Sequence, residues 1–285
     1  MSKRKGFTII EVIMFMAISA ALFIGVAVGM QNSIFQQRYN DTTQSFLEFL
    51  RSVYSEVLNP QSEGAGNSNI ALYGKLIVFG ENTEITGESI SGGGDRPIFT
   101  YDVVGDAEAN VGVGSVSNTL QLLNANVLRL EYSGSNVTSV ESIEPEKYTP
   151  HFGAYIESTT KDSNGNNVLY EGSILIVRHP GSGTVNTLKL SIPIQVNKVV
   201  KDAKATLSGG GFVPVATLRT LLTQYLADTA TPHFETGEID FCVNPYAETM
   251  PSDAVTKRNI RIMDNARNVS GIELIDLDSI ENRCK

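Results

Sequence analysis

Tryptophan is absent from this 285-residue chain, cysteine occurs only twice and histidine three times, so a zinc site built from four Cys and His ligands in their usual spacing is not spelled out. Basic residues are also few. Lys and Arg number 22 against 31 Asp and Glu, a net charge of −9, which argues against a globally basic nucleic-acid coat and leaves room only for a local patch. Charged residues are 19% of the chain and apolar residues 41%, a balance that argues against disorder. No HExxH, Walker loop or GxSxG motif is present, and His151, His179 and His233 lie far apart, so a hydrolase has no specific support. Proline is missing from residues 7–59, and nothing there interrupts a helix.

What is present is concentrated at one end. Residues 7–30 read FTIIEVIMFMAISAALFIGVAVGM, with Glu11 the only charge. The uncharged stretch 12–30 would span about 28 Å as a helix, close to the hydrocarbon thickness of a bilayer. Lys3, Arg4 and Lys5 precede it and no comparable basic cluster follows closely, so the positive-inside rule places the N-terminus in the cytoplasm and the remainder outside. Glu11 is the anomaly, because an ionised carboxylate inside a spanning helix costs roughly 2–3 kcal/mol even on lenient insertion scales. Such a group needs a partner or a use.

The stretch KRKGFTIIEV resembles the processing site of the type IV pilin and pseudopilin family: a basic leader ending in Gly6, Phe7 as first mature residue, Thr8 as second and Glu11 as fifth, then a long apolar run. The resemblance implies that a membrane-embedded prepilin peptidase cuts between Gly6 and Phe7 and methylates the new Phe7 amine. It also implies that Glu11 pairs with the cationic amino end of a neighbouring subunit, so that a lone charge in lipid becomes a pair when the helices bundle. Removing the leader would shift the side-chain charge from −9 to −12 through loss of Lys3, Arg4 and Lys5. One departure is the missing proline near the end of the apolar stretch; Gly25 and Gly29 form a GxxxG pair there, readable as a close helix contact or as ordinary small-residue use in membranes.

Beyond Met30 the pattern becomes amphipathic. Phe35, Tyr39, Thr42, Phe46, Phe49, Val53 and Val57 fall on one helical face, and Asn59-Pro60 stops the helix. The expected fold class is therefore α+β: one long transmembrane and amphipathic helix packed on a β-rich extracellular head. The expected division is a leader at 1–6, the helix at 7–58, a β-rich head at 60–207 and a C-terminal helix plus β region at 212–285. Candidate strands are 70–79, 98–104, 120–132, 152–157, 168–177, 187–200 and 239–243, each sheet with one buried face. Asn164-Gly165 suggests a hairpin tip, SGGGD at 91–95 and SGGG at 208–211 read as loops, and Pro214 is expected to open a short helix through Leu226.

Cys242 and Cys284 would both lie outside the membrane, where oxidising conditions favour a bridge. Their placement resembles the disulfide-bounded C-terminal region of many pilins, with two free thiols as the alternative. Asp162 to Asn167 has oxygen side chains at alternate positions, like the start of a calcium loop, but Asn167 and Ser173 stand where Gly and Glu are needed, and a polar hairpin tip is the simpler reading. Lys257, Arg258, Arg261 and Arg267 form a basic cluster; contact with nucleic acid is compatible with it but unsupported, and salt bridging explains it as well.

The resulting expectation is a structural subunit rather than an enzyme, without metal or cofactor. The resemblance implies a minor pilin or pseudopilin of a pilus, competence or secretion machine, whose partners are other pilin subunits, a prepilin peptidase and an inner-membrane assembly platform. It starts as a membrane precursor with a cytoplasmic N-terminus and ends in a surface filament. The alternative is a membrane-anchored surface-binding module or adhesin with an uncleaved signal anchor.

Overall fold

A computed structural model describes residues 8–59, 70–79, 97–106, 129–130, 146–163, 165, 167–178, 183–190, 234–235, 237–244, 257–264, 266, 268–276 and 279–284. Helix α1 runs Ile9–Leu58, 50 residues and so about 75 Å long. It begins two residues after the expected start because Thr8 is its N-cap, with extended backbone and a side chain that accepts from the Glu11 amide. Asn59 ends it, as the following proline requires.

Among the described residues, twelve strands make two antiparallel sheets. The first sheet contains β1 (Ile70–Phe79), β2 (Ile98–Asp106), β3 (Arg129–Leu130), β4 (Glu146–Tyr148), β7 (Gly172–Arg178), β8 (Val185–Leu190) and β9 (Phe234–Glu235), in the order β3-β2-β1-β7-β8-β9 with β4 also on β2. The second contains β5 (Tyr155–Lys161), β6 (Asn167–Leu169), β10 (Ile239–Asn244), β11 (Arg258–Ile262) and β12 (Ile272–Ile275), in the order β12-β11-β10-β5-β6. Gly74 sits at an irregularity of β1 and allows the close approach of β7: a Cβ there would lie 2.1 Å from the Ile176 carbonyl oxygen.

The amphipathic half of α1 closes the core between these sheets. Phe46 has no exposed surface, and its ring lies 5.5 Å from Phe241 of β10 and 6.5 Å from Phe79 of β1, edge to face with both. Tyr170 completes the cluster, 4.9 Å from Phe79 and 4.8 Å from Phe241. Such edge and offset geometries are the favoured ones for aromatic pairs, and here they tie one helix to two sheets.

Three expectations need correction. The apolar run 168–177 is not one strand but β6 and β7, which belong to different sheets; the chain crosses at Tyr170, whose ring is buried and whose amide donates to Ile156 across 3.0 Å. The first sheet is also not half-exposed. Ile174 and Ile176 face the helix, yet Leu175 and Val177 of the same strand are buried too, at 3% and 1% exposure. Continuous apolar sequence marks burial on both sides and hides which sheet a strand joins. The expected strand 152–157 starts only at Tyr155, because Phe152 and Gly153 adopt left-handed backbone with φ of 56° and 69°. Gly165, with φ of 83°, does sit in the turn between β5 and β6. The loops at 91–95 and 208–211 and the proposed helix at 214–226 lie outside the described residues, as does most of the strands expected at 120–132 and 187–200.

Candidate functional site: a bare helix end and its anchorage

At the N-terminal end, Thr8 and Glu11 form a reciprocal capping box. The Thr8 amide donates to Glu11 Oε2 at 2.8 Å, its hydroxyl donates to the same oxygen at 3.0 Å, and the Glu11 amide donates to Thr8 Oγ1. The carboxylate required to be useful is thus held at the first turn of the helix, where the macrodipole favours negative charge. Gly6 and Phe7 lie outside the described residues.

From Ile9 to Ile34 no described side chain of the helix is buried. Its most apolar window has mean hydropathy 2.5, and none of that window is buried. Phe15, Phe23 and Ile9 are 71–81% exposed, an arrangement that no water-soluble surface tolerates over such a length. Length and composition suit a bilayer span.

The character reverses at Tyr39. Its hydroxyl donates to the Val243 carbonyl at 3.0 Å, accepts the Arg258 amide, and lies on a ring covered by the Arg258 guanidinium at 5.6 Å. One helix side chain thereby joins β10 to β11, and burial raises its phenol well above the ordinary tyrosine value. One turn on, Thr42 donates to the His151 carbonyl at 3.0 Å, and further along Arg51 donates to the Ile272 carbonyl at 3.1 Å. Tyr54, fully buried, shares a hydrogen bond with Thr187 of β8. Of the expected stripe, Tyr39, Thr42, Phe46, Val53 and Val57 are buried and Phe35 and Phe49 partly so; Leu47, Leu50 and Tyr54 widen it.

Two ionic clusters hold the same region. Lys75 on β1, 3% exposed, meets Glu56 of α1, Asp102 of β2 at 3.0 Å and Glu146 of β4 at 3.3 Å. Burial opposes its charge, but the hydrogen bond to Glu56 and the charges of Asp102 and Glu146 outweigh it and hold the amine above the usual lysine range. In the second sheet, Arg261 of β11 meets Asp240 of β10 at 2.8 Å and Glu281 at 3.3 Å, and Arg283 reaches Asp240 at 2.9 Å and Glu238 at 3.0 Å. The Cys242–Cys284 disulfide fastens the same C-terminal segment to β10.

These clusters account for the basic residues singled out above. Lys257 pairs with Glu157 at 2.6 Å, Arg258 covers Tyr39 and Arg261 is held by acids, while Arg267 lies outside the described residues. Three of the four are spent inside the fold, so these three form no open basic face of the kind a nucleic acid needs. Among the described residues no group of three or more His, Cys, Asp or Glu is placed to hold a metal. A cavity of about 20 Å³ between Phe79, Ile156 and Tyr170 has room for roughly one water. Asp162 and Asn167 lie at the turn between β5 and β6. Sequence reading missed Lys75 and Asp240 as network centres; the signal was a lone charge inside each of the apolar strands YGKLIVF and IDFCV.

Residues 1–27 match the prokaryotic N-terminal methylation motif, the signature of type IV pilins and their precursors. No curated protein and no solved structure matches the chain. The long apolar helix followed by antiparallel sheets is a pilin-like α+β layout, the motif indicates a structural subunit, and the uncovered helix end fits a membrane-anchored precursor.

Proposed function

We propose that this chain is a subunit of a type IV pilus-like filament, a minor pilin or pseudopilin, made as a membrane precursor with its N-terminus in the cytoplasm and its head outside. A prepilin peptidase cuts between Gly6 and Phe7 and methylates the Phe7 amine. An inner-membrane assembly platform then moves the subunit from lipid into a bundle of like helices on the cell surface. The carrying observation is the division of α1: an apolar stretch from Ile9 to Met30 in which no described side chain is buried and one carboxylate stands at the tip, then a second half clamped into the head. Only lipid or other helices can cover the first half, and Glu11 offers the axial register mark a stack of such helices needs.

The capping box sharpens the test. Glu11→Gln keeps an acceptor for the Thr8 amide while removing the charge, so helix start and processing should survive while incorporation into filaments falls at least tenfold. Immunoblots of sheared filaments against membranes measure this, and normal incorporation would refute the register role. Mass analysis of the mature N-terminus checks cleavage: N-methylated Phe7 supports the proposal, whereas an intact Met1 would favour an uncleaved anchor carrying a surface-binding module.

A further inference from the structure

Outside α1, the Phe152 side chain stands exposed, at 56%. It also has the only positive φ of any described non-glycine residue, 56°. A bulky side chain in left-handed backbone is a genuine outlier, and such strain persists only where the surroundings enforce it. Here they do. Thr42 of α1 binds the His151 carbonyl at 3.0 Å, and the Ala154 amide binds the same oxygen at 3.3 Å, fixing the turn against the helix. The ring is not spent on the core: it lies under the Arg38 guanidinium, 5.4 Å from its centroid.

The position along the helix suggests what it is for. Arg38 follows the last residue of the apolar span, Met30, by eight positions, an axial rise of about 12 Å. Helical side chains lean back towards the helix N-terminus, here by up to a turn, about 5 Å. At full lean, guanidinium and ring lie about 7 Å above the hydrocarbon edge, within the headgroup layer roughly 5–8 Å deep. Ile34, 45% exposed, continues the apolar surface between span and turn. A ring stacked with a cation at this depth offers an apolar face to the acyl boundary and a positive charge to the phosphates.

We propose that Phe152 and Arg38 form an interfacial anchor that seats the base of the head on the phospholipid headgroup layer while the subunit resides in the bilayer. The proposal rests on the membrane-anchored reading of α1, and the experiment separates the two. Because the chain has no tryptophan, Phe152→Trp introduces a single fluorophore that keeps the stacking on Arg38. The full-length protein is reconstituted into phosphatidylethanolamine and phosphatidylglycerol bilayers containing phospholipid brominated either near the glycerol or near the chain ends. Phe23→Trp, in the middle of the span, and Ile280→Trp, fully exposed on the head, are the references.

The expected result is blue-shifted Phe152→Trp emission, quenched by glycerol-proximal bromine to at least half the extent that Phe23→Trp is quenched by deep bromine, with Ile280→Trp unquenched. Quenching of Phe23→Trp alone would overturn the anchor and leave the membrane span standing. Loss of quenching at both positions would overturn the span and the anchor together. A blue shift at Phe152→Trp that grows with protein density and ignores brominated lipid would assign the surface to a second copy and overturn the proposal. Phe152→Asn distinguishes contact from folding: Asn tolerates left-handed backbone, so melting in detergent should stay level or rise by about 2–4 °C. A fall of more than about 4 °C would show that the ring serves the fold and would overturn the anchor.

Discussion

Removing the Cys242–Cys284 bridge by the double change Cys242→Ala, Cys284→Ala perturbs the unfolded chain more than the folded one. The bridge spans 42 positions. In the loop-entropy model a closure of that length constrains the unfolded chain by about 4 kcal/mol at 25 °C. The native segment would not simply detach, because Arg283 still bonds Asp240 at 2.9 Å, Arg261 bonds the Glu281 carbonyl at 3.0 Å and Asn282 donates to the Lys257 carbonyl at 3.2 Å. Both sulfurs are buried, at 0% and 3% residue exposure, so replacing them also leaves a small cavity. Alanine at both sites avoids a free thiol that could form mixed disulfides. The expected loss is therefore about 4 kcal/mol, which for a folded unit of this size lowers the melting temperature by roughly 8–16 °C. Calorimetry of the full chain in detergent measures it. A shift of less than about 3 °C would refute the reasoning, because the bridge would then be constraining nothing that the unfolded chain explores.

Other perturbations probe the rest of the frame. Tyr39→Phe leaves the Val243 carbonyl and the Arg258 amide without their shared partner in a buried site, and should lower stability by about 1–3 kcal/mol in urea titration at unchanged slope; a loss under about 0.5 kcal/mol would mean water replaces the hydroxyl. Lys75→Met strips the positive charge from Glu56, Asp102 and Glu146, which are 43%, 39% and 69% exposed, so the cost should be about 2 kcal/mol rather than that of a fully buried broken pair. Since folding raises the Lys75 amine, wild type should hold its full advantage over this variant at pH below the ordinary lysine value and lose it as pH climbs towards the raised one; denaturation midpoints across alkaline pH check the sign, and a growing advantage would contradict it. Gly74→Ala puts a methyl 2.1 Å from the Ile176 carbonyl oxygen and should part β1 from β7, read as lost hydrogen-exchange protection in both strands.

Local chemistry made the helix legible. A proline-free apolar run, an amphipathic stripe with helical spacing and the Asn59-Pro60 stop are properties of neighbouring residues, and they placed α1 to within two residues at its start. Thr8, three residues before Glu11, spelled out its capping box in the same local way, though the role of Glu11 as a cap went unread behind its role as a charge in lipid. Strand existence was also largely legible where β-branched residues run together, as in 70–79 and 239–243. Short strands such as Arg258–Ile262 and Ile272–Ile275 were not, since alternating charges leave too weak a pattern in four or five residues.

By itself the sequence determined that one end of this protein is a helix too apolar for water, with a single carboxylate at its tip, because hydrophobicity, charge and helical period are additive along the chain. The tertiary structure alone decided which sheet each strand joins, that Tyr39 bridges β10 to β11, that Lys75 gathers acids from three elements, and that Phe152 is held in left-handed backbone beside Arg38. Those are contacts between residues far apart in sequence, such as Tyr39 with Val243, 204 positions away. They are fixed by which buried groups find partners when the helix closes on both sheets, and no local pattern carries that information.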